Sequence, residues 1–383
     1  MNFTFSDEQQ LLADTVQRFM REHYSFESRR EILNSKEGWS REIWQELANL
    51  GLTALNIPED HGGLGNGPVE TMLVMNALGS GLMLEPFFST SVVVPALLTH
   101  LNAVTDAPDM LTGIASGERI IVLAHQEPQS RGMLSSVATR ADKNADGYVL
   151  QGKKSVVAHG GIAQEFLVTA RTSGKPTDAA GLRVLRVPAD SPGLVVRSYR
   201  TFDGQNAADL DFDRVQLPSS ALIGSDVDVL AAIESAHHIG ISALCGEAVG
   251  IIKAVNATTL EYTKSRKQFG QPISRFQVLQ HRMADMFIQA EQATSMSYLA
   301  AIRCQDSNAD ERRRAISAAK VVIGQASRFV GQQAVQLHGG MGMTDELMVS
   351  HYFKRLTAID LSFGDTDHHL QEFARLSVAG QGS

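Results

Sequence analysis

The sequence predicts an α+β protein in which a helical domain, a small β domain and a second helical domain follow one another. Two changes of hydrophobic period carry this prediction. Apolar residues recur at helical spacing up to about residue 118 and again from about residue 225, whereas short β-branched runs separated by turns lie between them. We therefore expect domains at residues 1–119, 120–222 and 223–383.

The first domain begins with a helix start that can be recognised from its residues. Ser6 and Gln9 have the spacing of a capping box, in which each side chain caps the backbone of the other residue. A second helix is expected to begin after Ser40 and to stop at Gly51. The glycine-rich segment 58–65 that follows is typical of a connection between helices.

The middle domain shows strand candidates with no helical pattern between them. Turn residues such as Ser191-Pro192-Gly193 separate the candidates. Short strands in this order favour an antiparallel sandwich or barrel over a dinucleotide-binding sheet with crossover helices. The candidate strands are residues 148–150, 166–170, 182–187, 194–196 and 210–217.

The last domain is expected to contain long helices, one of which covers residues 318–335 and ends at Gly339. Residues 261–286 have the pattern of a helical hairpin. Basic residues crowd the end of its first helix, where the helix dipole favours cations. Gly270 occupies a position suited to a left-handed residue at the end of that helix, and Pro272 follows.

The composition excludes several classes of function. The 383 residues carry a net charge of −8 without any basic tract, which disfavours nucleic acid and anionic membranes as partners. The two cysteines, Cys245 and Cys304, lie in helical patterns, so we expect no disulfide framework and a reducing cytoplasm. The N-terminus lacks the features of a signal peptide, and we expect no stretch long enough to span a membrane.

Two strings of residues are more specific than a helix end requires. The first is Tyr262-x-x-x-Arg266-x-Gln268-Phe269-Gly270-x-Pro272-Ile273-x-x-Phe276-Gln277, and the second is Gln336-x-x-Gly339-Gly340-x-Gly342. Together they resemble the signatures of the acyl-CoA dehydrogenase family of flavoproteins, and the resemblance runs along essentially the whole chain. Within the family the chain is most similar to the small-subunit branch typified by pimeloyl-CoA dehydrogenase.

The resemblance implies the acyl-CoA dehydrogenase fold, FAD as cofactor, an acyl-CoA substrate and electron-transfer flavoprotein as the electron acceptor. In the family, the arginine at position 266 reaches across a subunit interface to the FAD pyrophosphate, which suits the planar fork of a guanidinium. Glycine suits the second string because it has no Cβ to block a ligand. The cofactor-binding residues implied in this way are Arg266, Gln268, Phe269, Phe276, Gln277, Gln336, Gly339 and Gly340.

The middle domain departs from the family pattern where the flavin ring is expected. Glu127 and Pro128 match the family's Thr-Glu-Pro-Gly-Ala-Gly segment, but its threonine and both glycines are replaced. In a later segment, Ala158 stands where the family has a threonine. The groups expected around the flavin ring have therefore lost donors, while the groups expected around the pyrophosphate are intact.

The family's catalytic base is also missing. Phe363 occupies the usual glutamate position, and Gly240 occupies the alternative position used by a minority of the family. The remaining candidates are Asp365, Asp367, His125, His159, His368 and His369, although Asp365 also suits the N-cap of the last helix. The catalytic residue is therefore left open. We expect no metal, because adjacent histidines on a helix point in different directions.

The favoured hypothesis is a small, base-deficient subunit of a heteromeric enzyme of fatty acid metabolism that desaturates an acyl-CoA thioester to the 2-enoyl-CoA. Its base would come from a related large subunit that carries the family's Tyr-Glu-Gly-Thr motif. Two rivals stay open. One is a self-sufficient homo-oligomer that uses Asp365 or a histidine as base, and the other is a non-catalytic paralogue that stabilises an assembly.

Overall fold

The computed structural model describes residues 4–104, 107–224 and 227–379. The predicted order of helices, then strands, then helices is confirmed. The capping box is also present: the Ser6 hydroxyl accepts from the Gln9 backbone N–H at 3.2 Å, and the Gln9 amide oxygen accepts from the Ser6 N–H at 3.0 Å. The first helices are α1 (Asp7–His23), α2 (Phe26–Asn34), α3 (Arg41–Asn49), α4 (Pro68–Ser80), α5 (Val94–His100) and α6 (Pro108–Ala115).

One eight-stranded sheet follows, and each predicted strand is part of it. The strands are β1 (Ile121–Ala124), β2 (Arg140–Lys143), β3 (Gly147–Ala158), β4 (Glu165–Arg171), β5 (Leu182–Pro188), β6 (Leu194–Arg200), β7 (Asn206–Pro218) and β8 (Leu222–Ile223). Their order is β6-β7-β3-β2-β4-β5-β8, with β1 beside β4.

The sheet is mostly antiparallel, and its connections between residues 120 and 218 are turns and strands without a helix. Two pairings, β1 with β4 and β2 with β4, are parallel, which the sequence did not predict. The β2–β3 segment lies between β1 and β4 in the chain and acts as the connection that a parallel pair requires. The sheet is therefore not a dinucleotide-binding βαβ sheet.

The remaining elements are α7 (Val229–Ser265), the short strands β9 (Lys267–Gln268) and β10 (Gln271–Pro272), then α8 (Gln277–Arg303), α9 (Ala309–His338), α10 (Met348–Leu361) and α11 (Thr366–Ala379). The long helix predicted at 318–335 lies within α9. One expectation was wrong, since α7 is long and apolar enough by length and composition to cross a membrane. In its most apolar window, 89% of the residues are buried inside the protein, as in a core helix.

The chain divides into two compact units. The helical unit comprises Met1–Glu31, Pro68–Met83 and Ile241–Ser383, and the sheet-containing unit comprises Ile32–Gly67 and Leu84–Gly240. Because this division follows compactness and not the change of hydrophobic period, it falls inside α7. The three domain boundaries inferred from the sequence stay a prediction.

Close backbone packing of α4 against α7 organises the core of the helical unit. A Cβ added at Gly250 would lie 1.9 Å from the Asn76 carbonyl oxygen, and one added at Gly246 would lie 2.8 Å from that of Met72. The spacing of four residues puts both glycines on one face of α7. This face therefore fits against α4 only without side chains.

A buried ion pair fixes α7 to α10 in the same unit. The Arg355 guanidinium donates to both carboxylate oxygens of Glu247, at 2.6 and 2.8 Å. This geometry matches the fork of the guanidinium to the carboxylate. The glycine face and the ion pair together set the position of α7, whose last turn leads into the site described below.

We expect Gly250→Ala to destabilise the protein, because its methyl group would overlap the Asn76 carbonyl and force α4 away from α7. Overpacking of this kind costs about 1–3 kcal/mol or more. The matched control is Gly340→Ala, whose added Cβ meets nothing within 4 Å. Thermal unfolding of protein freed of bound cofactor measures both variants, so that Gly340→Ala tests packing alone, and equal melting temperatures would contradict the packing argument.

Candidate functional site

The two strings singled out in the sequence meet in one corner of the helical unit. The Tyr262 ring, near the end of α7, stacks on the His338 ring at the end of α9, with centroids 4.2 Å apart and planes at 24°. The Tyr262 hydroxyl also donates to the His338 carbonyl at 3.3 Å. The His338 ring in turn donates from Nδ1 to the Ala334 carbonyl at 2.8 Å. We call this arrangement the Tyr262–His338 corner.

A β-hairpin projects from the corner, where the sequence had predicted a direct helix end. Helix α7 ends at Ser265, and β9 then pairs with β10. The two residues of the turn, Phe269 and Gly270, have φ values of 54° and 78°, as a tight two-residue hairpin requires. The prediction that Gly270 ends the helix was therefore wrong. Its left-handed conformation was anticipated, but it serves the hairpin turn.

The hairpin presents Phe269 to solvent. This side chain is 90% exposed, and its ring packs edge-on against Phe276 with centroids 6.0 Å apart. A bulky residue in the left-handed region is uncommon and costs conformational energy. An exposed aromatic side chain held in this way is suited to contact with another molecule.

The glycines after α9 divide into two roles. Gly339 and Gly340 are exposed, and a Cβ at either would meet nothing within 4 Å. Gly339 also needs φ 61° and ψ −143°, which glycine adopts readily. Gly342 is different, because its Cβ would lie 2.6 Å from the Val335 carbonyl oxygen. The first two glycines therefore leave the backbone open to a ligand, and the third allows packing.

Several predicted cofactor-binding side chains remain uncommitted. Within the part of the chain that the structure describes, Arg266 forms no ion pair, and the amides of Gln268, Gln277 and Gln336 form no hydrogen bond. All four are exposed. An open guanidinium, amide donors and accessible backbone N–H groups form a donor set that fits a pyrophosphate.

A cleft of about 200 Å³ lies beside Gln336, between the first turns of α8 and the last turns of α9. Arg282 lines this cleft and donates to the Gln333 amide oxygen at 3.0 Å. Leu279 lines it as well, and neither of these α8 residues was predicted as part of the site. A signal was present, because Phe276, Leu279 and Arg282 follow one another at intervals of three and so share a helix face.

The loop expected to face the flavin ring, in the sheet-containing unit, is closed on itself. The buried Glu127 carboxylate accepts from Lys154 at 2.7 Å and from the backbone N–H groups of Ala138 and Thr139 at 2.7 and 3.1 Å. Burial raises the pKa of Glu127, but the Lys154 ammonium and these hydrogen bonds outweigh it and lower that pKa to about 2. Glu127 is thus a charged structural group and cannot act as a base.

The Lys154 ammonium is fully buried and uses its donors inside the same loop system. Besides Glu127, it donates to the His125 carbonyl at 3.0 Å and to the Thr169 hydroxyl at 3.1 Å. Burial lowers the pKa of Lys154 to about 8, against the opposing effect of Glu127. The Arg171 guanidinium also donates to backbone carbonyls of the loop, including Ser135 at 2.9 Å. In these hydrogen bonds, the polar side chains of Lys154 and Arg171 are paired with groups of the loop itself.

Both loop histidines have hydrogen-bond partners within the fold. His125 Nδ1 lies 3.0 Å from the Thr169 hydroxyl, and burial together with the Lys154 charge holds its pKa well below the usual range. His159 Nδ1 lies 2.9 Å from the Ser89 hydroxyl, and its Nε2 donates to the Leu84 carbonyl at 3.2 Å. Burial and the nearby Lys154 charge favour the neutral form of His125. The contacts of both rings hold them in fixed positions within the fold.

The segment around Phe363 has a firm scaffold, and two of its candidate bases, Asp365 and His369, are part of it. Phe363 is half-buried and has φ 59°. The Asp365 carboxylate accepts from the His368 N–H at 2.8 Å and so caps α11. His369 Nε2 donates to the Phe363 carbonyl at 3.0 Å, and burial lowers the pKa of this histidine to about 4. The other base position, Gly240, is buried in α7.

The Lys320 ammonium completes this scaffold. It is buried and donates to the carbonyls of Ile359, Asp360 and Gly364 at 2.8, 2.8 and 3.0 Å. Burial lowers its pKa to about 8. In the described ranges, no group of three or more His, Cys, Asp or Glu side chains converges in a way that could hold a metal ion.

Three family models match the chain in consecutive order. The model described as acyl-CoA dehydrogenase, N-terminal domain, matches residues 6–118, the middle-domain model matches residues 123–215, and the C-terminal-domain model matches residues 232–377. Together they cover most of the chain.

Curated relatives match at nearly full length. Probable acyl-CoA dehydrogenase YngJ of Bacillus subtilis is 28% identical over 391 residues, covering 100% of this chain and 99% of YngJ. Acyl-CoA dehydrogenase FadE12 of Mycobacterium tuberculosis is 29% identical over 365 residues, covering 91% and 90%.

Solved structures share the fold. The Tcur3481-Tcur3483 steroid ACAD variant has a TM-score of 0.87 at 26% identity and covers 98% of this chain and 99% of its own. PigA with FAD and proline has a TM-score of 0.87 at 25% identity and full coverage of both chains. Butyryl-CoA dehydrogenase from Megasphaera elsdenii has a TM-score of 0.89 at 23% identity, with coverage of 99% and 100%.

We expect Lys154→Met to unfold the β domain or to lower its stability strongly, because it leaves the Glu127 charge buried without its counter-ion. Breaking a buried pair from one side costs about 3–5 kcal/mol. The adjacent Lys153→Met is the matched control, since the Lys153 side chain is 67% exposed and pairs at the surface with Asp211. Soluble yield and thermal unfolding measure both, and a Lys154→Met protein as stable as the Lys153→Met protein would refute the role assigned to the pair.

Proposed function

The chain belongs to the acyl-CoA dehydrogenase family, and we propose that it is the small, base-deficient subunit of an FAD-dependent acyl-CoA dehydrogenase assembled from two different chains. The family carries out FAD-dependent dehydrogenation. One observation carries the proposal: within the described residues, the side chains suited to a cofactor pyrophosphate form no ion pair or hydrogen bond, while Phe363 stands at the position of the base.

The role of this chain in the reaction follows from the chemistry of its side chains. When bound, FAD supplies the acceptor for the hydride that leaves the β-carbon of the acyl thioester. Arg266 would hold the pyrophosphate, Gln336 would donate to it, and Gly339 and Gly340 would admit it to the backbone. The proton on the α-carbon needs a base, and Phe363 has no group that accepts a proton. The base therefore has to come from elsewhere.

Four of the rival bases of this chain are engaged in hydrogen bonds of the fold. Asp365 is engaged as a helix cap. His125 and His159 are held in hydrogen bonds of the sheet-containing unit. His369 supports the Phe363 backbone and favours the neutral form through burial. These contacts support a base supplied by a partner that carries the family's glutamate.

The exposed surface of the helical unit also supports a protein partner. Phe269, Val278 and Phe287, on the hairpin and α8, are between 61% and 90% exposed. A group of several exposed apolar side chains is typical of an interaction surface. The similar steroid ACAD carries the double designation Tcur3481-Tcur3483, which agrees with an assembly of two chains. We further propose electron-transfer flavoprotein as the acceptor and the reducing cytoplasm as the location.

We expect Arg266→Ala to lower the FAD content of the assembled enzyme, because it removes a charge-assisted contact worth roughly 1.5–3 kcal/mol. Lys264→Ala is the matched control: Lys264 lies two residues earlier, is exposed and pairs with Glu261. The ratio of flavin absorbance to protein and the FAD affinity measure the effect. Unchanged occupancy and affinity in Arg266→Ala would remove this residue from the cofactor site.

The second test compares the chain alone with the chain plus its partner, using anaerobic reduction of bound flavin by an acyl-CoA. We expect slow or absent reduction by the single chain and fast reduction once the partner is added, since a general base contributes about 10²–10⁴-fold. Rapid reduction by the single chain would contradict the proposal.

The variant Asp365→Asn identifies the base in that case, because asparagine keeps the size and the capping ability but lacks the carboxylate. If Asp365→Asn abolishes rapid reduction by the single chain, Asp365 is the base. If it changes nothing, His125, His159 and His368 are the next residues to replace.

A further inference from the structure

A pocket of about 250 Å³ lies in the helical unit between α1, α4, α7 and α8, and it shares no residue with the Tyr262–His338 corner or the cleft beside Gln336. Its floor is formed by buried side chains, among them Met72, Val249 and Ser297. The Ser297 hydroxyl donates to the Thr294 carbonyl at 2.9 Å, so its donor is already used. The floor therefore suits an apolar group.

An aromatic wall borders the floor. The rings of Phe5 and Tyr298 meet edge to face, with centroids 5.5 Å apart and planes at 88°. Phe5 is further fixed by its carbonyl, which accepts from the Gln10 amide at 3.0 Å. The wall and the floor together provide apolar contacts in a pocket that is otherwise lined by polar side chains, among them Gln10, Gln17 and Asn76. Such a lining suits a ligand with both an apolar and a polar part.

Two opposite charges line the same pocket without pairing. Asp14 on α1 and Lys253 on α7 are both exposed at its edge. Within the described ranges neither forms an ion pair or a side-chain hydrogen bond, with each other or with another group. Burial of its stem lowers the pKa of Lys253, against the opposing effect of the Glu291 carboxylate. A ligand that carries both charges would satisfy both groups.

We propose that this pocket binds a free α-amino acid with an apolar side chain. Its carboxylate lies on the Lys253 ammonium, its ammonium on the Asp14 carboxylate, and its side chain against Met72 and Val249. The pocket volume of about 250 Å³ corresponds to about eight waters at roughly 30 Å³ each, which leaves room for a ligand of about that many heavy atoms. An amino acid such as leucine is of this size.

The experiment measures binding by titration calorimetry to the protein in the assembly in which it purifies. The probes are L-leucine, isocaproate, which lacks the ammonium, isoamylamine, which lacks the carboxylate, and glycine, which lacks the side chain. We expect leucine to bind. Isocaproate and isoamylamine should bind about 2- to 5-fold more weakly, since each loses a contact with an exposed charge. Glycine should bind roughly 10- to 100-fold more weakly, since it loses the apolar contacts. The flavin absorbance should stay unchanged throughout the titration.

Variants separate this site from non-specific binding. Lys253→Met and Asp14→Asn should each weaken leucine binding by about 2- to 5-fold, because both side chains are exposed. Lys36→Met and Asp213→Asn, at exposed positions of the sheet-containing unit, should leave it unchanged. No measurable leucine binding, or full affinity in Lys253→Met, overturns the proposal. The proposal is also overturned if isocaproate binds as tightly as leucine and its affinity does not change in Asp14→Asn. The site would then recognise a simple carboxylate.

Discussion

The stack of Tyr262 on His338 is the contact on which the candidate site depends. It joins the last turns of α7 and α9, and therefore the two strings of the sequence that would otherwise lie apart. Because both rings carry backbone hydrogen bonds as well, neither helix end is free to turn away. In the chain, Arg266 and the hairpin come shortly after Tyr262, and the open glycines come directly after His338. The stack of the two rings therefore sets where both segments begin.

The two groups of residues expected around a flavin are in opposite states of hydrogen bonding. In the helical unit, Arg266 and Gln336 have donors to spare within the described residues. In the sheet-containing unit, Glu127 and Lys154 satisfy each other and the loop around them. A buried ion pair is stable when its remaining lone pairs and protons are also used, as they are here. The first group is therefore available to a ligand, and the second maintains the fold.

The segment around Phe363 is held by hydrogen bonds, although position 363 carries no side chain that can accept a proton. Lys320 and His369 hold the carbonyls of this segment, and they keep Phe363 in a left-handed conformation that is costly for a bulky residue. The hydrogen bonds of the Lys320 ammonium to the carbonyls of Ile359, Asp360 and Gly364 tie this segment to the end of α10. The scaffold around position 363 therefore does not depend on a carboxylate at that position.

The sequence by itself determined the order of helices, strands and helices, each strand candidate and the capping box, and it marked the two strings of residues that the structure brings together. These features depend on the local spacing of apolar residues, on turn residues and on short-range capping. All of these involve residues that are close together in the chain. The sequence could not separate the open Gly339 from the packed Gly342, or show that Gly270 serves a hairpin. It could not show that the Glu127 carboxylate forms a buried ion pair with Lys154. Each of these outcomes depends on which groups distant in the chain come within hydrogen-bond or contact distance, and only the tertiary structure decides that.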